Sequence, residues 1–286
     1  EFWQRGTSFT NPANNAYTAD RWKLEADTAI PTSATISRDT NIDTVGQYSM
    51  NVTITTVGTC TRYFVYYKVE NYLDYAGKTI SFSVRVGTTL ASKIKAYIDS
   101  SGASYSSYHT GSGVQTLTVT KTIPASPTYI DIAVGFVING DITAGTFQID
   151  SAMLVEGSAA VPFVAKNYQT ELAQCQRYYE KSYPLATAPG TVLNDYLTQV
   201  AAPQTGATFA SSNSIQFKVS KRVAPTITVY NRSTGASGTW AWYTTGGVAT
   251  ARTTTAGTLG TNSFYVSQSV ANEYYAEGHW TADAEI

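Results

Sequence analysis

Apolar and polar residues alternate with a period of two through most of the chain, in runs such as "QYSMNVTITTV", "RYFVYYKVENY", "KTISFSVRVG", "SKIKAYIDS", "VQTLTVTKTI", "TYIDIAVGFVI" and "GTFQIDSAMLV". Successive side chains of a strand point to opposite faces, so this period predicts half-buried β-strands. Turn signals separate the runs: Gly58, Gly77, "SSGAS", "GSG" and "NGD". To about residue 163 the pattern reads as an antiparallel sandwich or jelly roll of roughly eight to ten strands, and a parallel α/β fold has nowhere to put its helices. A short helical turn is expected at residues 71–76, before Gly77.

Alternation sorts the residues by face. Ile80, Phe82, Val84 and Val86 point inward and leave Arg85 outside, while Ile94, Ala96 and Ile98 point inward and leave Lys95, Tyr97 and Asp99 outside. Ile130, Ile132, Val134 and Phe136 oppose Tyr129, Asp131, Ala133 and Gly135. In "TRYFVYYKVE" the apolar set is Tyr63, Val65, Tyr67 and Val69, against Arg62, Phe64, Tyr66, Lys68 and Glu70. The outward faces thus combine tyrosines, small residues and a few charges. That mixture suits a sugar ring, which has an apolar C–H face and hydroxyls around its edge. The expected carbohydrate-binding residues are Arg62, Tyr66, Arg85, Tyr97, Tyr129 and Asp131.

The stretch "ELAQCQRYYEKSYP" starts with helical spacing and ends like a strand. It divides the chain into an expected jelly roll at 1–165 and a smaller β-sandwich domain at 166–286. The second part is rich in Thr, Gly, Ala and Ser. Its apolar residues, among them Ile215, Phe217, Val219, Ile227, Val229, Phe264 and Val266, look too few for a self-sufficient module, so a subunit interface is expected to complete its burial. Trp240 and Trp242 share one face of "GTWAWYTTGG". They read as core residues or, with Tyr243, as receptor contacts at an exposed tip.

Charge and composition narrow the function. Of 286 residues only 14% are charged, the net charge is -1 and Lys and Arg never cluster, which leaves no footprint for nucleic acid or an anionic membrane. No apolar run is long enough to span a bilayer, and the start "EFWQRGTSFT" lacks the regions of a signal peptide. Phe2 and Trp3 read as the start of a strand, and the chain as the C-terminal part of a longer polypeptide. Cys60 and Cys175 fall in different expected domains and read as buried thiols. His109 and His279, the only two histidines, supply little for catalysis or metal binding. There is no GxSxG, no Cys with His context and no phosphate-binding Gly loop, so no enzyme is expected.

Read together, "FWQRGTSFTNPANNAYTADRWKL", "YFVYYKVENYLDYAGKTISFSVRV", "GTFQIDSAMLVEGSAAVPF", "ELAQCQRYYEKS" and "GHWTADAEI" resemble the C-terminal region of bacteriophage tail-fibre or other receptor-binding proteins. The first part resembles a carbohydrate-binding-module jelly roll and the second the small trimerising β domain that ends such fibres. The resemblance implies a homotrimeric, non-enzymatic adhesin of the virion tail, assembled in the host cytoplasm with the rest of the tail fibre. Its partner would be a bacterial cell-surface polysaccharide or lipopolysaccharide. The alternatives are a glycan-depolymerising tailspike enzyme and a fibre module without ligand. In related jelly rolls a calcium ion is held by an acid of the final strand. Asp150 matches that acid, yet Ser151 stands at the second acidic position, so no cofactor is required and a structural calcium is the lesser reading. The resemblance also implies a helix-like turn at Thr170–Gln174 followed by a strand at Cys175–Ser182, with Tyr178 and Tyr179 on opposite faces.

Overall fold

The alternating runs form strands, and nearly every strand pairs with neighbours distant in sequence. In the computed structural model, residues 1, 41, 43–45, 202–209, 212–213, 245, 269–272 and 286 are left undescribed. The chain is all-β and divides into two units, Thr7–Lys166 and a second formed by Asn167–Ile286 together with Phe2–Gly6.

The first unit is an antiparallel jelly roll. Its strands are β1 (Ser8–Thr10), β2 (Lys23–Ala26), β3 (Ser33–Thr40), β4 (Tyr48–Thr56), β5 (Tyr63–Lys68), β6 (Thr79–Thr88), β7 (Lys95–Asp99), β8 (Ala103–Tyr105), β9 (Val114–Thr122), β10 (Asp131–Phe136) and β11 (Gly145–Glu156). They form one sheet in the order β1-β3-β4-β11-β6-β9 and another in the order β2-β5-β10-β7-β8. The chain crosses repeatedly between the two, so each sheet is stitched by long-range pairing. The inward sets predicted for β6, β7 and β10 are sealed, with Phe82, Val84, Ala96, Val134 and Phe136 fully buried. Phe136 meets Phe147 of the other sheet edge-on at 5.5 Å. Burying each such side chain contributes about 1.5–3 kcal/mol. The expected helical turn is a 3₁₀ turn at Tyr72–Tyr75. β1, β2, β3 and β8 carry no run long enough to stand out, and β8 occupies what reads as a turn signal.

The second unit holds the helix α1 (Tyr168–Gln176) and the strands β12 (Tyr179–Lys181), β13 (Thr198–Ala201), β14 (Ala210–Ser211), β15 (Ile215–Gln216), β16 (Thr226–Tyr230), β17 (Thr239–Thr244), β18 (Ala249–Thr253), β19 (Thr255–Thr258), β20 (Ser263–Gln268) and β21 (Glu273–Asp283). One sheet is built on β21, which pairs β12, β13, β16 and β17, and β18 adds to β17; the other is built on β20, which pairs β14, β15 and β19. The two share one core and make a smaller β-sandwich. The apolar residues counted from sequence do look few, but the tryptophans supply the volume. Trp240, Trp242 and Trp280 pack with Phe217, Phe264 and Val266. Gly278 gives Trp240 its space, because a Cβ there would collide with the indole.

Three expectations are corrected here. The strand expected from Cys175 begins only at Tyr179, because α1 runs from Tyr168 to Gln176 with Asn167 Oδ1 accepting from the Gln169 N–H at 3.0 Å. The Tyr178 N–H then bonds to Cys175 O before the chain joins β21. Phe2 and Trp3 form no strand. They are buried in the second unit, where Gln4 Nε2 donates to Tyr179 O at 2.8 Å and the buried Lys181 ammonium donates to the carbonyls of Gln4, Leu185 and Thr187. Trp240 and Trp242 are sealed, their indole N–H groups donating to His279 O and Thr254 Oγ1, both at 2.9 Å, so the core reading holds for both and the tip-contact reading does not.

Candidate functional site

The outward side of the β2-β5-β10-β7-β8 sheet gathers most of the chemistry in the first unit. Strand pairing sets three rows across it. Lys23, Tyr66, Ala133, Tyr97 and Tyr105 make the middle row. Glu25, Phe64, Gly135 and Lys95 flank it on one side, and Lys68, Asp131, Asp99 and Ala103 on the other. Central strand β10 therefore shows small residues between the rings of β5 and β7. Gly135 has φ 142° and a Cβ there would stand 2.9 Å from Phe64 Cα, so only glycine lets β5 come this close.

The rings fill that space. Phe64 meets Tyr97 at 5.6 Å and Tyr66 at 6.4 Å, and Tyr97 meets Tyr105 at 6.0 Å, all edge to face. Tyr66 and Tyr97 do point outward, but they are only 4% and 8% exposed. They form a packed aromatic floor instead of the open stacking plane expected from alternation. Tyr105, 42% exposed, is the ring left open. Lys23 lies 5.8 Å from the Tyr66 ring and Lys95 4.0 Å from the Tyr108 ring, while Tyr108 donates to Asp141 at 2.7 Å.

Of the other expected residues, Arg62 ion-pairs with Asp27 at 2.6 Å and lies 5.8 Å from the Phe64 ring. Tyr129 donates to Asp99 at 3.2 Å. Asp131 stands in the face between Lys68 and Asp99, and its Oδ1 is buried without a hydrogen bond. Burial pushes Asp131 up to about 6; Asp99 and Glu25 add to the rise, and Lys68 and Lys23 oppose it. Burial also raises Glu25, against the pull of Arg62, and takes Tyr66 up to about 12. Arg85 is a correction: it lies on β6 of the other sheet, beside Thr116 at 3.4 Å, and cannot join this face. Alternation separates inside from outside but does not say which of two sheets an outward residue belongs to.

Sequence reading missed Tyr105 and Tyr108, which lie in "SSGASYSSYHT". The spacing from Tyr105 to Tyr108 has no strand period, and only the pairing of β8 with β7 brings Tyr105 to the face. Tyr243, offered as a tip residue, is half-buried and stacks on Tyr275 in the second unit, at 4.3 Å and 10°. Asp150 accepts from the Ser151 N–H at 2.7 Å and the Ile42 N–H at 3.2 Å. Among the described residues no group of three or more His, Cys, Asp or Glu could hold a metal ion.

No protein-family model matches the chain, and no curated protein matches it either. Solved structures do. A C-terminal family 22 carbohydrate-binding module of Clostridium thermocellum is similar at 13% identity over 56% of this chain and 99% of that one, with a TM-score of 0.36. A family 4 carbohydrate-binding module is similar at 20% identity over 55% of this chain and 100% of that one, with a TM-score of 0.37. The enzymatically active domain of bacteriophage CBA120 tailspike protein 4 is similar at 15% identity, over 52% of this chain and 21% of that one, with a TM-score of 0.36.

Proposed function

We propose that the outward face of β2-β5-β10-β7-β8 binds a neutral glycan without turning it over. The observation that carries this reading is the exposed Tyr105 ring at the edge of the packed floor of Tyr97, Tyr66 and Phe64, with Lys68, Asp131 and Asp99 in the adjoining row. Tyr105 offers the ring for a sugar's C–H face. The face mixes Lys23, Lys68 and Lys95 with Glu25, Asp99 and Asp131, a balance that favours a hydroxyl-rich neutral ligand over a polyanion.

In the wider reading, the chain is the tip of a homotrimeric phage tail-fibre adhesin, carried on the virion and directed at bacterial polysaccharide or lipopolysaccharide. The sequence resemblance supports it. Single sugar sites are weak, and three copies on one axis would raise avidity by about a hundredfold or more. No metal takes part in this binding, so a chelator leaves it unchanged. The test is a glycan array read with the wild type, Tyr105→Ala and Asp131→Asn. Retention weakened in both variants supports the face, and retention unchanged in both overturns it.

One observation favours a second reading. Asp131 keeps its proton to about 6 close to two further acids, as a glycosidase requires of its general acid. Oligosaccharides released by the wild type and not by Asp131→Asn would establish hydrolysis. If the array retains no glycan and none is cut, the module is a spacer.

A further inference from the structure

The second unit has an outward face of its own. Across β13-β21-β17-β18, one row reads Ala201, Tyr275, Tyr243, Ala249 and the next Gln199, Glu277, Ala241, Ala251. Tyr243 and Tyr275 stack on each other, so the second side of the Tyr243 ring is turned toward β18, where Ala249 and Ala251 are both small and exposed. The Tyr243 hydroxyl donates to Glu277 Oε1 at 2.7 Å, and Arg232 Nη1 donates to the same oxygen. Burial together with that bond pushes Tyr243 up to about 12, so the hydroxyl keeps its proton at neutral pH. Both donors fall on Oε1. The Glu277 side chain is 9% exposed. About a quarter of the Arg232 side chain remains exposed, at 26%.

We propose that Tyr243, Glu277 and Arg232 form a second carbohydrate subsite, separate from the face of the first unit, taking one neutral pyranose over Ala249 and Ala251. A ring plane, a small floor and an acceptor next to a guanidinium donor are the elements needed to hold a C–H face and two adjacent hydroxyls. Tyr275 backs the Tyr243 ring and keeps it upright. Arg232 holds Glu277 in place through Nη1 and leaves Nη2 for the ligand.

The test uses the full chain and saturation-transfer NMR with the methyl glycosides of glucose, galactose and mannose. In a Tyr105→Ala/Asp131→Asn background, which disables the first face, saturation transfer to at least one glycoside is expected to persist. Adding Ala249→Trp, an exposed position where a large ring blocks the floor without disturbing the core, should weaken that binding by about tenfold or more. Glu277→Gln, which keeps the Tyr243 bond, should do the same. A residual signal that ignores both changes overturns the subsite. A signal absent from the background variant but present in the wild type also overturns it while leaving the first face standing, and no signal from the wild type overturns both.

Discussion

Asp131 and Tyr97 show how an outward position on a strand differs from an exposed one. Alternation places both on the outer side of their sheet, but only packing decides whether water reaches them. Tyr97 is wedged between Phe64 and Tyr105, so Tyr97→Ala should cost about 3 kcal/mol of stability, which a denaturant melt would register. Tyr105→Ala should cost less than about 1 kcal/mol and is the cleaner probe of binding. Asp131 predicts a pH effect. Its native value is about 6 against 3.8 for an ordinary aspartate, so between these values the folded chain holds a proton that the unfolded chain has released. Stability contributed at this site therefore falls as pH rises from 3.8 to about 6. Asp131→Asn should remove that slope from a series of thermal melts and leave the variant the more stable of the two at neutral pH.

Single elements are held by groups that no periodicity reveals. Lys221 and Glu180 form an ion pair at 2.6 Å with both side chains sealed, and Lys221 also donates to Gln176 O and Val219 O. It thereby joins the end of α1 to β12 and to the segment after β15. Lys221→Met strands a buried carboxylate and should cost about 3–5 kcal/mol, most of it recovered in Lys221→Met/Glu180→Gln, as measured by urea unfolding. In the core, Gly278→Ala drives a methyl into the Trp240 indole and should cost about 1–3 kcal/mol in the same assay. Strand existence was legible wherever a run was long, as for β6 and β10. It was not legible for β8, whose three residues are too few to show a period.

At the scale of the whole molecule, the N-terminal segment belongs to the unit farthest from it in sequence. Arg5 lies 3.7 Å from the Tyr179 ring and 3.2 Å from Asp283, and Phe2 and Trp3 are buried with them in that unit. Removing residues 1–6 should therefore destabilise the second unit by about 3 kcal/mol or more and spare the first, which calorimetry would resolve as a shift in one transition only. Light scattering tests the trimer: a mass near three times 30.8 kDa is expected, and one near 30.8 kDa itself would remove the avidity argument. The all-β class, the inward sets of the long strands and the mixed aromatic and charged character of the outer faces follow from sequence alone, because a period of two and a side chain's polarity are local properties. Which sheet carries Arg85, whether Tyr66 and Tyr97 meet water, and where Phe2 and Trp3 pack were decided only by the tertiary structure. Each depends on which strands become neighbours, and pairing between segments far apart in a chain leaves no mark in either segment by itself.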